Sequence, residues 1–320
     1  MTRVFRVLIV ACLALWSFVA QAENYPSRPV TLIVPFAAGS GTDAVARIIA
    51  QHLSVSLKQN IIVENRPGAN GAIAASYVAR SAPDGYTLFM STNSPHSAAP
   101  FLTRNVGYDP VRDFAPVSRV GSFTLMLVVH PDVPAKSIAE LIAYAKANPG
   151  KLSFASGNTS GIVAGESLKH WAGIDIVHIP YKSVPPGLSD VLAGRVAMMF
   201  TDLTPGLPHV RSGALRALAV TRKARSRLLP DVPSLHESGL TDFEVDSWAG
   251  LFAPANTAPE IVTLLNGEVR RIIGDKDINA QIGNIGFEAF SSTPEELGEF
   301  VKLQLGRWGA MIKDAGIEPE

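Results

Sequence analysis

The sequence predicts an α/β protein of two domains, with the second inserted into the first. Three observations carry the prediction. Short apolar runs of β type alternate along the chain with segments of helical spacing, the pattern of layered α/β folds. Two small-residue loops, Pro35 to Asp43 and Ser156 to Gly161, each follow such a run and open a helix. The chain has 320 residues and 47% hydrophobic content. That suffices for more than one core, and chains of this size usually divide. A single continuous α/β domain is the simpler alternative.

The N-terminal segment has the form of an export signal. Arg3 and Arg6 precede the apolar stretch Val7 to Val19, which is broken only by Ser17, and Ala20-Gln21-Ala22 fits a cleavage site after Ala22. The stretch falls short of the about 20 apolar residues that a spanning helix needs. Cys12, the single cysteine, lies within it. A mature chain from residue 23 would hold no disulfide, thiolate nucleophile or cysteine metal site. Lys and Arg total 28 against 28 Asp and Glu, so nucleic acid and anionic membrane surfaces are poor partners.

Val30 to Val34 reads as a strand covered on both faces, because its apolarity is continuous. Val45, Ile48, Ile49, His52 and Leu53 give the following helix, with Thr42 or Asp43 as N-cap. Ile61 to Val63 is a second strand, Arg66 to Gly71 a tight connection, and Ala72 to Arg80 a small-residue helix. Tyr86 to Met90 is a third strand, followed by the polar turn Ser91-Thr92-Asn93. The pattern then repeats. Leu125 to Val129 is a strand, Ser137 to Glu140 a capping box for a helix to Ala147, and Leu152 to Ala155 a strand. Ile176 to Ile179, Val196 to Phe200 and Leu215 to Val220 are further strands, separated by helices over Gly187 to Ala193 and Pro205 to Ser212. After Asp246 to Phe252 the chain turns helical, with starts at Thr257-Ala258-Pro259-Glu260 and Thr293-Pro294-Glu295-Glu296. Two crossings, near Val120–Thr124 and Asp246–Phe252, put the domains at 23–121 plus 248–320 and at 122–247.

The loops carry the chemistry. A loop rich in glycine and hydroxyls before a helix presents free N–H groups and the positive end of the helix dipole, which favours an anion. Two of them suggest two halves closing on one acidic ligand. Gly39-Ser40-Gly41-Thr42-Asp43-Ala44 also matches G-x-G-x-x-A, with Glu64 ending the next strand. This is the outline of a dinucleotide site, and an oxidoreductase is the alternative reading. The export signal counts against it. So do Asp43, which would repel a pyrophosphate, and the lack of a downstream acid/base. Ser156-Gly157-Asn158-Thr159-Ser160 is not a G-x-S-x-G elbow, and the histidine spacings form no metal site or triad. Tyr181, Lys182 and Asp202 follow strand ends, where ligands sit in open α/β sheets. Asp202 is also placed to cap the helix near Pro205.

The whole mature chain resembles the Bug receptors, the substrate-binding proteins of tripartite tricarboxylate transporters. The resemblance rests on Tyr25 to Phe36, Gly39 to Asp43, Val63 to Gly71, Pro83 to Leu88, Phe154 to Gly157, Val177 to Lys182, Leu215 to Thr221 and Trp248 to Ala255 in that order. It implies a periplasmic Venus-flytrap fold, no enzymatic activity and no cofactor. It also implies a monomer that captures a small organic acid and delivers it to membrane permease subunits. By position, the ligand would meet Phe36, Ala38, Gly39, Ser40, Gly41, Thr42 and Asp43 of the first loop, and Ser156, Gly157, Asn158, Thr159 and Ser160 of the second. Ser91, Thr92, Asn93, Tyr181, Lys182 and Asp202 would line the rest. Two departures from the family pattern leave the acid unidentified. Ser40 replaces a glycine of the usual pair, and Ser183-Val184-Pro185-Pro186 stands where glycines are common.

Overall fold

A computed structural model describes residues 25–241, 243 and 245–319; the predicted signal lies outside the described residues. The first apolar run forms β1 (Val30–Val34). It lies between two parallel neighbours, β2 (Ile61–Asn65) and β3 (Thr87–Thr92). Leu32, Ile33 and Val34 are fully buried, as continuous apolarity requires. The sheet then turns antiparallel through β10 (Ser247–Pro254), β4 (Phe114–Phe123) and β11 (Phe287–Ala289), in the order β11-β4-β10-β3-β1-β2.

The chain leaves this sheet at Phe123 and enters a second one at β5 (Leu125–Val129). The others in it are β6 (Ser153–Ser156), β7 (Val177–Pro180), β8 (Met198–Asp202) and β9 (Arg216–Val220), ordered β7-β6-β8-β5-β9. The chain returns to the first sheet at Ser247. The result is the expected two-lobed α/β fold, with the second lobe inserted in the first.

Helices α1 (Gly41–Leu57) and α2 (Ala72–Ala79) cross between the parallel strands of the first sheet. A single π-helical turn, Ser94–Ala98, leads into the short α3 (Ala99–Leu102). It stands beyond the expected polar turn, of which Ser91 and Thr92 belong to β3. The second lobe carries α4 (Ile138–Ala147), α5 (Thr159–Ala172), α6 (Val184–Leu192) and α7 (Leu203–Arg211). Last come α8 (Pro259–Gly274), α9 (Lys276–Asn284) and α10 (Pro294–Asp314). The last opens with a full capping box between Thr293 and Glu296. Its early residues Leu297 and Val301 pack with Phe89 and Trp248 in the first lobe. Its later residues Trp308 and Ile312 join the cluster of Phe154 and Phe200 in the second. Among the described residues, no helix is long and apolar enough to cross a membrane.

Candidate functional site

The first loop is held by its own helix. The cap of α1 is Ser40, two residues before the expected Thr42 and three before Asp43, and its Oγ accepts the Asp43 N–H at 3.2 Å. The buried Asp43 carboxylate braces the loop from within. It accepts the Gly39 N–H at 3.0 Å, Arg47 Nε at 3.0 Å and Asn65 Nδ2 at 2.9 Å. Burial pushes its pKa up, but these hydrogen bonds, led by that of Arg47, pull harder and hold it below the usual range. Asn65 Nδ2 also donates to the carbonyl of the buried Phe36 at 2.9 Å, while Ala38 is exposed. Asp43 is therefore spent inside its own lobe. The N–H groups of Gly41 and Thr42, at the start of α1, lack intrahelical acceptors, the arrangement that draws an anion to a helix N-terminus.

The second loop follows the same logic. Asn158 caps α5, its Oδ1 accepting the Gly161 N–H at 2.8 Å. Gly157 is needed for close approach, since a Cβ there would stand 2.3 Å from the Ser183 carbonyl carbon and the Val184 nitrogen. Ser156 Oγ lies 2.6 Å from His178 Nε2. The His178 ring stacks on Phe154 at 4.6 Å, and its Nδ1 is 3.8 Å from Glu166. A serine–histidine–glutamate line is thus present that histidine spacing did not reveal. Ser156 is only 1% exposed, and its hydroxyl is engaged by the His178 ring.

The loops of the two lobes meet. The Ala37 N–H donates to Ser183 Oγ at 3.1 Å. Asn93 Nδ2 donates to Ser160 Oγ at 3.0 Å and Thr159 Oγ1 at 3.4 Å, and its Oδ1 accepts from Ser247. Ser94 Oγ lies 2.8 Å from Thr159 Oγ1. Ser91 Oγ pairs at 2.6 Å with Nδ1 of the fully buried His96, whose ring stacks on Phe252 at 4.0 Å; burial lowers its pKa to about 3. Thr92 Oγ1 holds the Ser94 N–H at 3.2 Å.

Asp202 stands at the N-cap position of α7 yet makes no cap bond. Its Oδ2 lies 3.2 Å from the point a Cβ on Gly41 would occupy, so it touches α1 across the lobes. Burial pushes its pKa up to about 7. Tyr181 is part-buried, and its N–H donates to the Ser156 carbonyl at 2.8 Å. Its hydroxyl is engaged by Asp190, which also binds Arg195, and Lys182 is exposed. Of the anticipated residues, the two loops, Asn93 and Asp202 come together at the junction, while the Tyr181 hydroxyl is bonded to Asp190 of its own lobe and Lys182 is exposed. Ser94, Ser183, Ser247, His96 and His178 were not anticipated. Their contacts bridge segments too distant in sequence for any spacing signal. Glu64, which a dinucleotide would need for its ribose, is paired with Arg66 at 2.6 Å. Among the described residues, no three His, Cys, Asp or Glu side chains are grouped to hold a metal ion.

Two lobes joined by paired crossings, with helix N-termini and hydroxyls at their seam, define a solute-binding protein of the two-lobed α/β class. The family model described as "Tripartite tricarboxylate transporter family receptor" matches residues 45–317, and the chain belongs to that family of periplasmic binding proteins. It is 36% identical to R. palustris Rpa4515, solved with adipate, at a TM-score of 0.91 covering 93% of this chain and 100% of that one. It is 35% identical to the periplasmic binding protein BugD, at a TM-score of 0.89 covering 92% and 100%. Protein BugT of Bordetella pertussis is 36% identical over 300 residues, 92% of each chain. The Bug resemblance read from the sequence is borne out.

Proposed function

We propose that the protein captures a small organic acid between its lobes and hands it to the membrane subunits of a tripartite tricarboxylate-type transporter, acting as a monomer and catalysing no reaction. The lobes are 23–121 with 248–320 and 122–247, and the chain reaches the periplasm by cleavage after Ala22. One observation carries the reading: the N-terminus of α1 in one lobe lies against Asp202 at the N-terminus of α7 in the other, and the lobes are joined beside it through Ala37–Ser183 and Asn93–Ser160. Backbone donors hold a carboxylate without a full countercharge, so cargo can also be released. The adipate named with the R. palustris structure supports a carboxylate cargo.

A thermal-shift panel of carboxylates, their esters, amino acids and nicotinamide nucleotides tests it. A ligand at a hundred times its Kd stabilises by about 2.7 kcal/mol. Stabilisation by an acid but not its ester is the expected result. Stabilisation by nucleotides alone would overturn the reading in favour of a dinucleotide-dependent oxidoreductase.

A further inference from the structure

Resting on the carboxylate reading above, we propose that the ligand is captured together with one proton, which Asp202 carries between the lobes. The geometry begins with an orphan: Asp202 Oδ1 is buried with no hydrogen-bond partner among the described residues. A buried carboxyl oxygen without a donor is costly unless a ligand or a proton completes it. Its sister oxygen lies against Gly41, at the N-terminus where a ligand anion is drawn.

Among the described residues, no cation is paired with Asp202 to balance the two acids. Within the sheet, β5, β6 and the rest of β8 carry no charged side chain. On α7 the charged and titratable groups are His209 and Arg211, both in its last turn. On α1 they are Asp43, its partner Arg47, and His52 further along. Arg222, after β9, is held by Glu288 and Ser122. His178, two strands away on β7, is bonded to Ser156. The helix ends supply about half a charge each. Two ionised carboxylates side by side in such a site disfavour each other, so one of them binds a proton. Asp202 is the better base to take it, because burial alone has already raised it to about 7. A protonated Asp202 then donates to the ligand carboxylate, in a short charge-assisted bond.

The direction of the linkage follows. With the lobes parted, water reaches Asp202 and its pKa is ordinary, about 4. In the closed complex it is raised, so binding is strengthened as pH falls and is weakened as pH rises through the raised value. For a bound value near 7, affinity should rise about fivefold from pH 7 to pH 6.

The test is titration calorimetry of adipate into the purified protein at pH 7, in phosphate and in Tris, whose ionisation heats differ widely. The expected result is a buffer-dependent heat equal to uptake of about half a proton or more, abolished in Asp202→Asn. Equal heats in both buffers would overturn the proposal. So would proton uptake that persists in Asp202→Asn, since the ligand itself would then be taking the proton. If adipate, malate and succinate all fail to bind in either buffer, it is the carboxylate reading itself that has failed.

Discussion

His96 makes the first lobe sensitive to mild acid. It lies on the π-helical turn, fully buried, with its ring near Phe89, Phe114, Trp248 and Phe252. Charging it there would desolvate an imidazolium against aromatic faces, so its pKa is lowered to about 3. In the unfolded chain it titrates near 6.5. The unfolded state therefore binds the proton first. The contribution of a neutral His96 is complete above pH 6.5 and drains away as pH falls toward 3. Linkage gives about 1.4 kcal/mol per pH unit in that window, or about 2 kcal/mol between pH 7 and pH 5. Asp202, raised to about 7, titrates in the same interval, but it is common to both proteins, so the difference between them isolates the histidine. Urea unfolding at pH 7 and pH 5, for the native protein and His96→Gln, measures the effect. The variant can still reach Ser91 and carries no proton-binding ring. It should start less stable at pH 7 but lose about 2 kcal/mol less on acidification. Equal losses in both proteins would refute the argument.

Gly157→Ala places a Cβ 2.3 Å from two backbone atoms. Forcing the strand end and Ser183 apart should cost about 1–3 kcal/mol, lower the Tm and weaken binding of whichever acid the thermal-shift panel selects; a variant with native Tm and Kd contradicts the close-approach account. Asn93→Ala removes bonds to Ser160, Thr159 and Ser247 at once. Since the first two exist only across the lobes, affinity measured by calorimetry should fall by about tenfold or more, at about 1 kcal/mol per bond lost. Ser156→Ala should leave the fold intact and weaken binding severalfold, because His178 loses the hydroxyl it orients; a fluorescence titration indistinguishable from the native protein would count against a role for that pair. In Asp43→Asn the Arg47 pairing is lost, and stability above pH 5 should fall by about 1–2 kcal/mol. Acidification below pH 4 should then remove less from the variant than from the native chain, because the native carboxylate's contribution is lost as pH falls through its lowered pKa.

The parallel half of the first sheet was legible because continuous apolar runs such as Val30 to Val34 mark a strand buried on both faces. The antiparallel half was not. β4 carries Pro116, Arg119 and Gly121, which break any two-residue alternation, and β11 has three residues. The loops of the site were legible from glycine and hydroxyl chemistry before a helix. Their partners were not, because Ala37 and Ser183 are 146 residues apart and Asn93 and Ser247 are 154 apart. Tyr181 shows the limit of placing a side chain by strand end alone. The next helix brings Asp190 to its hydroxyl, nine residues on, and engages that group within its own lobe. Asp43 read as an obstacle to phosphate; its work as a brace became visible only when Asn65 and Arg47 closed around it.

The last helix limits how this molecule opens. At 21 residues it is about 32 Å long, and it is rooted in both cores, by Leu297 and Val301 at one end and by Trp308 and Ile312 at the other. Pulling Trp308 out of its socket would cost several kcal/mol, far more than an empty receptor can spend each time it samples solution. Any parting of the lobes that keeps both ends of this rod seated must turn about it, as a clam turns on its ligament.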